Sequence, residues 1–279
     1  MFKRSIVLTS LYLLVFGVTT GGAGAGQPEP WQLGFQPAAS PVMRDITDFH
    51  NLLLVISVVI CLVVLGLMIY VVVRFNEKAN PTPSKTTHNT AIEVLWTALP
   101  VLILVIIAVP SFKLLYFMDR THNPEMTIKA TGHQWYWSYD YPDHGNFTFD
   151  AVMVPEDELK EGQLRLLETD NRVVLPVDTD IRVLLTSDDV IHNWAIPSLG
   201  VKLDTVPGRI NETWVRIERE GTFYGQCSEL CGVNHAFMPI AIEAVSKEAF
   251  AEWVKKAKLE FAETGRNPLR VAGVRAAGR

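Results

Sequence analysis

Residues 52–73 read LLLVISVVICLVVLGLMIYVVV, twenty-two positions without a charge. At 1.5 Å rise per residue such a helix covers roughly 33 Å, enough to cross a bilayer's hydrocarbon core. A second apolar run follows at about 94–117, interrupted by Lys113 near its end, where a long stem can carry the ammonium to the interface. Pro100 and Pro110 lie inside this run, which a membrane helix tolerates at the cost of a kink. The connection holds Arg74, Lys78 and Lys85, and a basic loop belongs on the cytoplasmic side. Residues 51–117 are therefore expected to form a two-helix transmembrane hairpin in the bilayer, with a cytoplasmic loop at about 74–91 and both outer ends outside the cytoplasm. Cys61, within the first span, reads as a small packing residue.

Toward the N-terminus, Lys3 and Arg4 precede an apolar stretch at 6–18 and a small-residue end at 23–26. This pattern is that of a bacterial secretory signal, residues 1–26, expected to be removed. A third membrane helix competes, but the apolar core is short and the Gly-rich end suits cleavage. The signal gives the same orientation as the basic loop. Residues 27–50 then form an extracytoplasmic lead-in containing Pro and Gly.

Beyond the hairpin, residues 118–261 read as all-β. The segments 126–130, 173–177, 181–186, 213–217 and 240–245 are rich in β-branched residues, and turn signals such as Pro207-Gly208 and Glu220-Gly221 separate them. Short strands at this spacing suggest a Greek-key sandwich or barrel. A closing helix is expected over 246–261, with Ser246 as its N-cap. Residues 262–279 form an arginine-bearing tail to which no function is given. With 20% charged residues in 279, the chain suits a membrane protein carrying one water-exposed domain. Residues 118–260 hold 24 acidic side chains against 14 basic ones. That balance suits either steering of a basic protein partner, rather than a nucleic acid, or a merely solvated acidic surface, and charge alone does not separate the two.

The domain's chemistry is concentrated at 227–238, CSELCGVNHAFM, which offers two thiols, an imidazole and a thioether. Soft sulfur with imidazole suits copper, and Met beside Cys and His points to an electron-transfer site. Two thiolates four residues apart can bridge a pair of copper ions, with His192 supplying a further imidazole. The alternative is a Cys227–Cys231 disulfide with His235 and Met238 as packing residues. In an oxidising compartment an unmetallated pair tends to oxidise, so the thiols must be reduced before metal enters. A second unusual run, GHQWYWSYDY at 132–141, would by alternation send Trp135, Trp137 and Tyr139 to one face and Tyr136 to the other. Such a run fits a core strand near a membrane interface, or an exposed indole through which electrons pass.

These two runs, together with RLLETDNRVVLP at 165–176, DVIHNWAIPSLGVKLDTVPGR at 189–209, YGQCSELCGVNHAFMP at 224–239 and the IEVLWTALP opening the second span, resemble subunit II of the haem–copper cytochrome c oxidases. The resemblance covers about residues 35–261. It implies a cupredoxin-like Greek-key domain holding a dinuclear copper centre, CuA. Cys227 and Cys231 would bridge, His192 and His235 would be terminal ligands, and Met238 and the Glu229 carbonyl weak axial ones. The Glu229 side chain would reach a Mg2+ or Mn2+ site shared with subunit I. Trp135 would be where electrons arrive, and Asp140, Asp170 and Asp189 would attract the basic face of cytochrome c. Asp189, close to His192, is alternatively a partner that orients the ring. Glu93 would stand at the mouth of a proton channel into subunit I, although Thr90–Glu93 also reads as a capping box.

The implied function is to pass electrons from cytochrome c to subunit I, which reduces oxygen and pumps protons, in a bacterial inner membrane with subunit III as a further partner. The rivals are a membrane-tethered copper-delivery protein and the copper-less structural subunit of a quinol oxidase. The complete ligand set argues against the second, and Trp135 and Glu229 have no use in the first. A soluble nitrous oxide reductase shares the ligand loop but not the hairpin. No Cys-x-x-Cys-His occurs, so no c-type haem is attached.

Overall fold

The computed structural model describes residues 26–119 and 123–263. Most of the expected signal and all but the first residues of the expected tail lie outside them. Two long helices come first, α1 (Pro41–Arg74) and α2 (Thr90–Asp119), each long and apolar enough to cross a membrane. Their apolar side chains point outward, as lipid-facing or partner-facing surfaces require. Helix α1 begins well before the uncharged run. Ser40 accepts the Met43 N–H at 3.0 Å and Pro41 occupies the first turn, where its missing N–H costs nothing. Residues 41–51 thus extend the span by about 16 Å. Helix α2 departs from the expected capping box. Its cap is Asn89, whose side-chain oxygen accepts the Ile92 N–H at 3.3 Å, which leaves Thr90 in the first turn. Asparagine's carbonyl reaches the free N–H groups of a first turn at least as well as threonine's hydroxyl.

Among the described residues, ten strands form the water-exposed domain: β1 (Met126–His133), β2 (Tyr136–Tyr141), β3 (Phe147–Ala151), β4 (Val173–Pro176), β5 (Ile181–Ser187), β6 (His192–Ile196), β7 (Val201–Thr205), β8 (Asn211–Val215), β9 (Gly221–Gln226) and β10 (Pro239–Val245). They make a five-stranded sheet in the order β3-β2-β1-β5-β8, a three-stranded sheet β4-β10-β9, and the hairpin β6-β7. The β1–β5 and β4–β10 pairs are parallel and the other pairs antiparallel, a cupredoxin-like Greek-key sandwich. The strand expected over 213–217 lies two residues earlier. Asn211 already pairs with Leu185, while Ile217 leaves the ladder with its carbonyl accepting the Asp178 N–H at 2.8 Å.

One apolar core fills the sandwich, with Ile128, Trp137, Tyr139, Leu175, Ile181, Trp194, Phe223 and Ile242 among its buried members. Helix α3 (Lys247–Glu263) closes one end through Phe250, Val254 and Ala257, and Ser246 accepts the Ala249 N–H at 3.2 Å as its cap. The Glu168 carboxylate is fully buried behind β4. Arg172 donates to both its oxygens at 2.8 and 2.7 Å, and the Tyr224 hydroxyl donates at 3.2 Å. Donors on both oxygens are what make a buried carboxylate tolerable.

Several contacts join domain to hairpin. The Ser40 hydroxyl donates to the Leu199 carbonyl at 2.7 Å, Arg44 pairs with Glu218, and the Trp214 indole donates to the Phe117 carbonyl at 3.2 Å. Leu199 lies just past the end of β6, the strand that opens with His192. Gly26, the last residue of the expected signal, pairs with β9. Its N–H donates to the Thr222 carbonyl at 2.9 Å and its carbonyl accepts from Tyr224 at 2.8 Å.

Candidate metal centre

The residues predicted to bind metal come from two places in the sandwich. His192 opens β6, while Cys227, Cys231, His235 and Met238 lie on the loop from β9 to β10. β9 and β10 are antiparallel neighbours, with Gln226 opposite Pro239, so the loop must return within a strand's width of where it left. The Cys227 N–H donates to the Met238 carbonyl at 3.3 Å, closing its base, and the Ser228 N–H donates to the Asn193 carbonyl at 3.1 Å, tying the loop to β6. Gly225 brings β9 against β6, since a Cβ there would lie 1.9 Å from the Ala195 carbonyl oxygen.

The two Sγ atoms stand 3.8 Å apart as free thiols, far beyond the ~2.0 Å of a disulfide. Cys227 Sγ lies 3.9 Å from His192 Nδ1, and Cys231 Sγ lies 3.5 Å from His235 Nδ1. Met238 Sδ is 3.6 Å from Cys231 Sγ, and the Glu229 carbonyl oxygen is 3.4 Å from Cys227 Sγ. Donor atoms of His192, Cys227 and Cys231 all fall within 4.8 Å of one another. Each thiol thus has its own imidazole, and two more donors flank the pair. The sulfur donors and His192 are buried and His235 is partly so, a soft set that suits copper better than hard cations.

Asp189 fixes the His192 ring. Its Oδ1 accepts the Nε2–H at 2.8 Å, which turns Nδ1 toward the Cys227 thiol. Its Oδ2 accepts the Gln134 N–H, and the Val190 N–H donates to Oδ1, both at 2.6 Å. Despite partial burial, these donors hold the Asp189 carboxyl below the usual carboxylate range. His192 is raised: burial opposes its charge, but Cys227 and Asp189 outweigh it. Burial pushes both thiols up. Bonds from His192 and backbone N–H groups reverse this at Cys227, bringing it to about 7, while burial and the neighbouring Cys227 charge push Cys231 up to about 12. Without metal the pair therefore holds one proton firmly.

Trp135 does not follow the expected strand alternation. It stands with Gln134 in the two-residue turn between β1 and β2, and the buried face of β2 is Trp137, Tyr139 and Tyr141. In that turn the half-buried Trp135 indole donates to the Cys231 carbonyl at 3.1 Å. Trp137 lies underneath, with its Nε1 donating to the Met238 carbonyl at 3.3 Å and its ring 5.9 Å from that of His192. The Glu229 side chain is exposed on the loop. Asp140 pairs with Lys129 at 3.4 Å and accepts from Thr148, and Asp170 accepts the Val152 N–H at 2.8 Å. Glu93 is in the first turn of α2, at the far end of the hairpin from the metal residues. Sequence reading missed Gln134 and Gly232. The first is an unremarked turn residue until its partners are known, and the second signals itself only as a glycine directly after a ligand.

Fold and donor set define a membrane-anchored sandwich with a copper-type site. The family described as "Cytochrome C oxidase subunit II, periplasmic domain" matches residues 126–245, and its transmembrane domain matches residues 28–114. A probable cytochrome c oxidase subunit 2 of Rickettsia felis is 53% identical over 259 residues, 93% of this chain and 82% of that protein. The maize (Zea mays) subunit 2 is 53% identical over 232 residues, covering 81% of this chain and 89% of its own. The crystallised periplasmic domain of cytochrome oxidase subunit II from Bradyrhizobium japonicum is 55% identical, covering 51% of this chain and 99% of its own, with a TM-score of 0.48. The chain belongs to the cytochrome c oxidase subunit II family.

Proposed function

We propose that this chain takes electrons from cytochrome c and passes them to the haem–copper subunit I of an oxidase in a bacterial inner membrane. The observation that carries the reading is the pair of thiols 3.8 Å apart, each with its own imidazole Nδ1. Cys227 and Cys231 would bridge two coppers, His192 and His235 would end the cluster, and Met238 and the Glu229 carbonyl would complete it. Bound there, the copper pair supplies a one-electron couple spread over two metals and two thiolates. The chain's own work is positional. The β-framework holds the ligands in one arrangement, Asp189 fixes the His192 ring, and Trp137 packs beneath. Buried ligands such as His192 and Met238 suit a relay better than copper delivery, which needs exchangeable donors.

Trp135 is an aromatic group at the surface that stands one hydrogen bond from the Cys231 backbone. The domain's acidic excess would draw in the basic face of cytochrome c. Asp140, Asp170 and Asp189 contribute to that field while their oxygens stay engaged within the domain. The exposed Glu229 carboxylate would take part in a Mg2+ or Mn2+ site with subunit I, and Glu93 would stand at a proton-channel mouth, with subunit III completing the assembly. The test is the assembled oxidase carrying Cys227→Ser and Cys231→Ser. Reduction by cytochrome c should be lost, while a small reductant still reaches the haem of subunit I. Undiminished reduction by cytochrome c would contradict the reading.

A further inference from the structure

Three hydrogen bonds hold the turn that carries Trp135, two to Cys231 and one to Asp189, and Gln134 makes two of them. Its side-chain amide donates to the Cys231 carbonyl at 2.9 Å, the same oxygen that accepts from the Trp135 indole at 3.1 Å. A carbonyl has two lone pairs, so these neighbouring donors fill it. The Gln134 backbone N–H donates to Asp189 Oδ2 at 2.6 Å, and Asp189 Oδ1 holds the His192 Nε2–H at 2.8 Å. One residue therefore links the indole's turn to the backbone of one thiol ligand and to the ring of an imidazole ligand. The metal loop is shaped to match. At Gly232, φ is +117°, and a Cβ there would lie 3.0 Å from Trp135 Cζ2 and 3.3 Å from Gln134 Nε2. Glycine is what lets indole and amide lie against the loop.

We propose that Gln134 is a positioning residue for electron transfer into the metal centre: it holds the Trp135 indole on the Cys231 carbonyl and couples that contact, through Asp189, to the His192 ring. This rests on reading Trp135 as the point where electrons arrive. A glutamine on a hairpin turn could instead touch only the incoming protein, or serve only to keep the loop folded. The three roles separate kinetically and spectroscopically.

The experiment uses the assembled oxidase with Gln134→Met, which keeps the length and removes the donor. Gln134→Glu is the second variant, placing an acceptor against the carbonyl, and Trp135→Phe is the reference. Reduced cytochrome c is mixed rapidly with each, and reduction of the copper centre, KM and the copper paramagnetic resonance spectrum are recorded. Both Gln134 variants should slow reduction at least about tenfold, since ~1 Å of misplacement can cost as much as 10²-fold. KM and the copper spectrum should stay unchanged. A wild-type rate overturns the proposal, as does a defect confined to KM or one accompanied by lost copper or altered hyperfine structure. If Trp135→Phe is slow while both Gln134 variants are normal, only the positioning role fails. If Trp135→Phe keeps the wild-type rate, the reading of Trp135 fails with it.

Discussion

Two thiols in one loop, one brought to about 7 and the other pushed up to about 12, describe a site that stores a proton until metal displaces it. Copper binding must expel that proton, and below the Cys227 value a second one, while the raised His192 ring holds another in acid. Affinity should therefore climb as pH rises from about 6 to about 8, with fewer protons released per copper pair at the upper end. Titrating the metal-free protein with copper in weakly buffered solution checks this, and a pH-independent affinity would contradict the paired-thiol arrangement. Four of the five proposed metal ligands stand out in the sequence because Cys, His and Met crowded into one short loop suit a soft metal and little else. His192, 35 residues upstream of Cys227, joins them as the further imidazole such a site needs. The role of Gln134 is not legible there, because a hydrogen bond across 55 residues leaves no spacing to read, whereas Asp189, three residues before His192, reads as a partner that orients its ring. The expected alternation at Trp135 failed for a related reason: it assumed a strand where the chain makes a turn.

Elements turn those side chains into a site. The spans, β1, β5, β10 and α3 follow from apolar length, β-branched content and helical spacing, as expected. β6 carried no such signal. All five of its residues, HNWAI, are buried, so no in-and-out alternation marks it. Its polar residues face the thiol and the loop: His192 Nδ1 lies 3.9 Å from Cys227 Sγ, and the Asn193 carbonyl accepts the Ser228 N–H. Gly225 shows how closely these elements meet. In Gly225→Ala the methyl would collide with the Ala195 carbonyl, and backbone cannot move aside as a flexible side chain would. Overpacking of this kind costs about 1–3 kcal/mol and occasionally more. Thermal or denaturant unfolding should show at least that loss. Copper affinity should fall as well, because β6 and β9 position ligands on either side of the contact. A Gly225→Ala protein with unchanged stability and copper affinity would show that the two strands are not held together as described.

For the whole molecule, the direction of the hairpin decides whether the site faces its partners. The loop between α1 and α2 holds exposed Lys78 and Lys85, whereas the domain's lysines, Lys129 and Lys202 among them, lie beyond α2. A membrane-impermeant amine reagent applied to intact spheroplasts should modify domain lysines and spare Lys78 and Lys85 until the membrane is opened. Labelling of the loop in sealed cells would reverse the topology and strand the metal centre away from cytochrome c. The most direct test of the electron relay is paramagnetic resonance on the purified, oxidised, copper-loaded protein. Bridging by Cys227 and Cys231 predicts hyperfine structure shared equally between two copper nuclei. The pattern of a single copper, or no signal with both thiols oxidised, would contradict it.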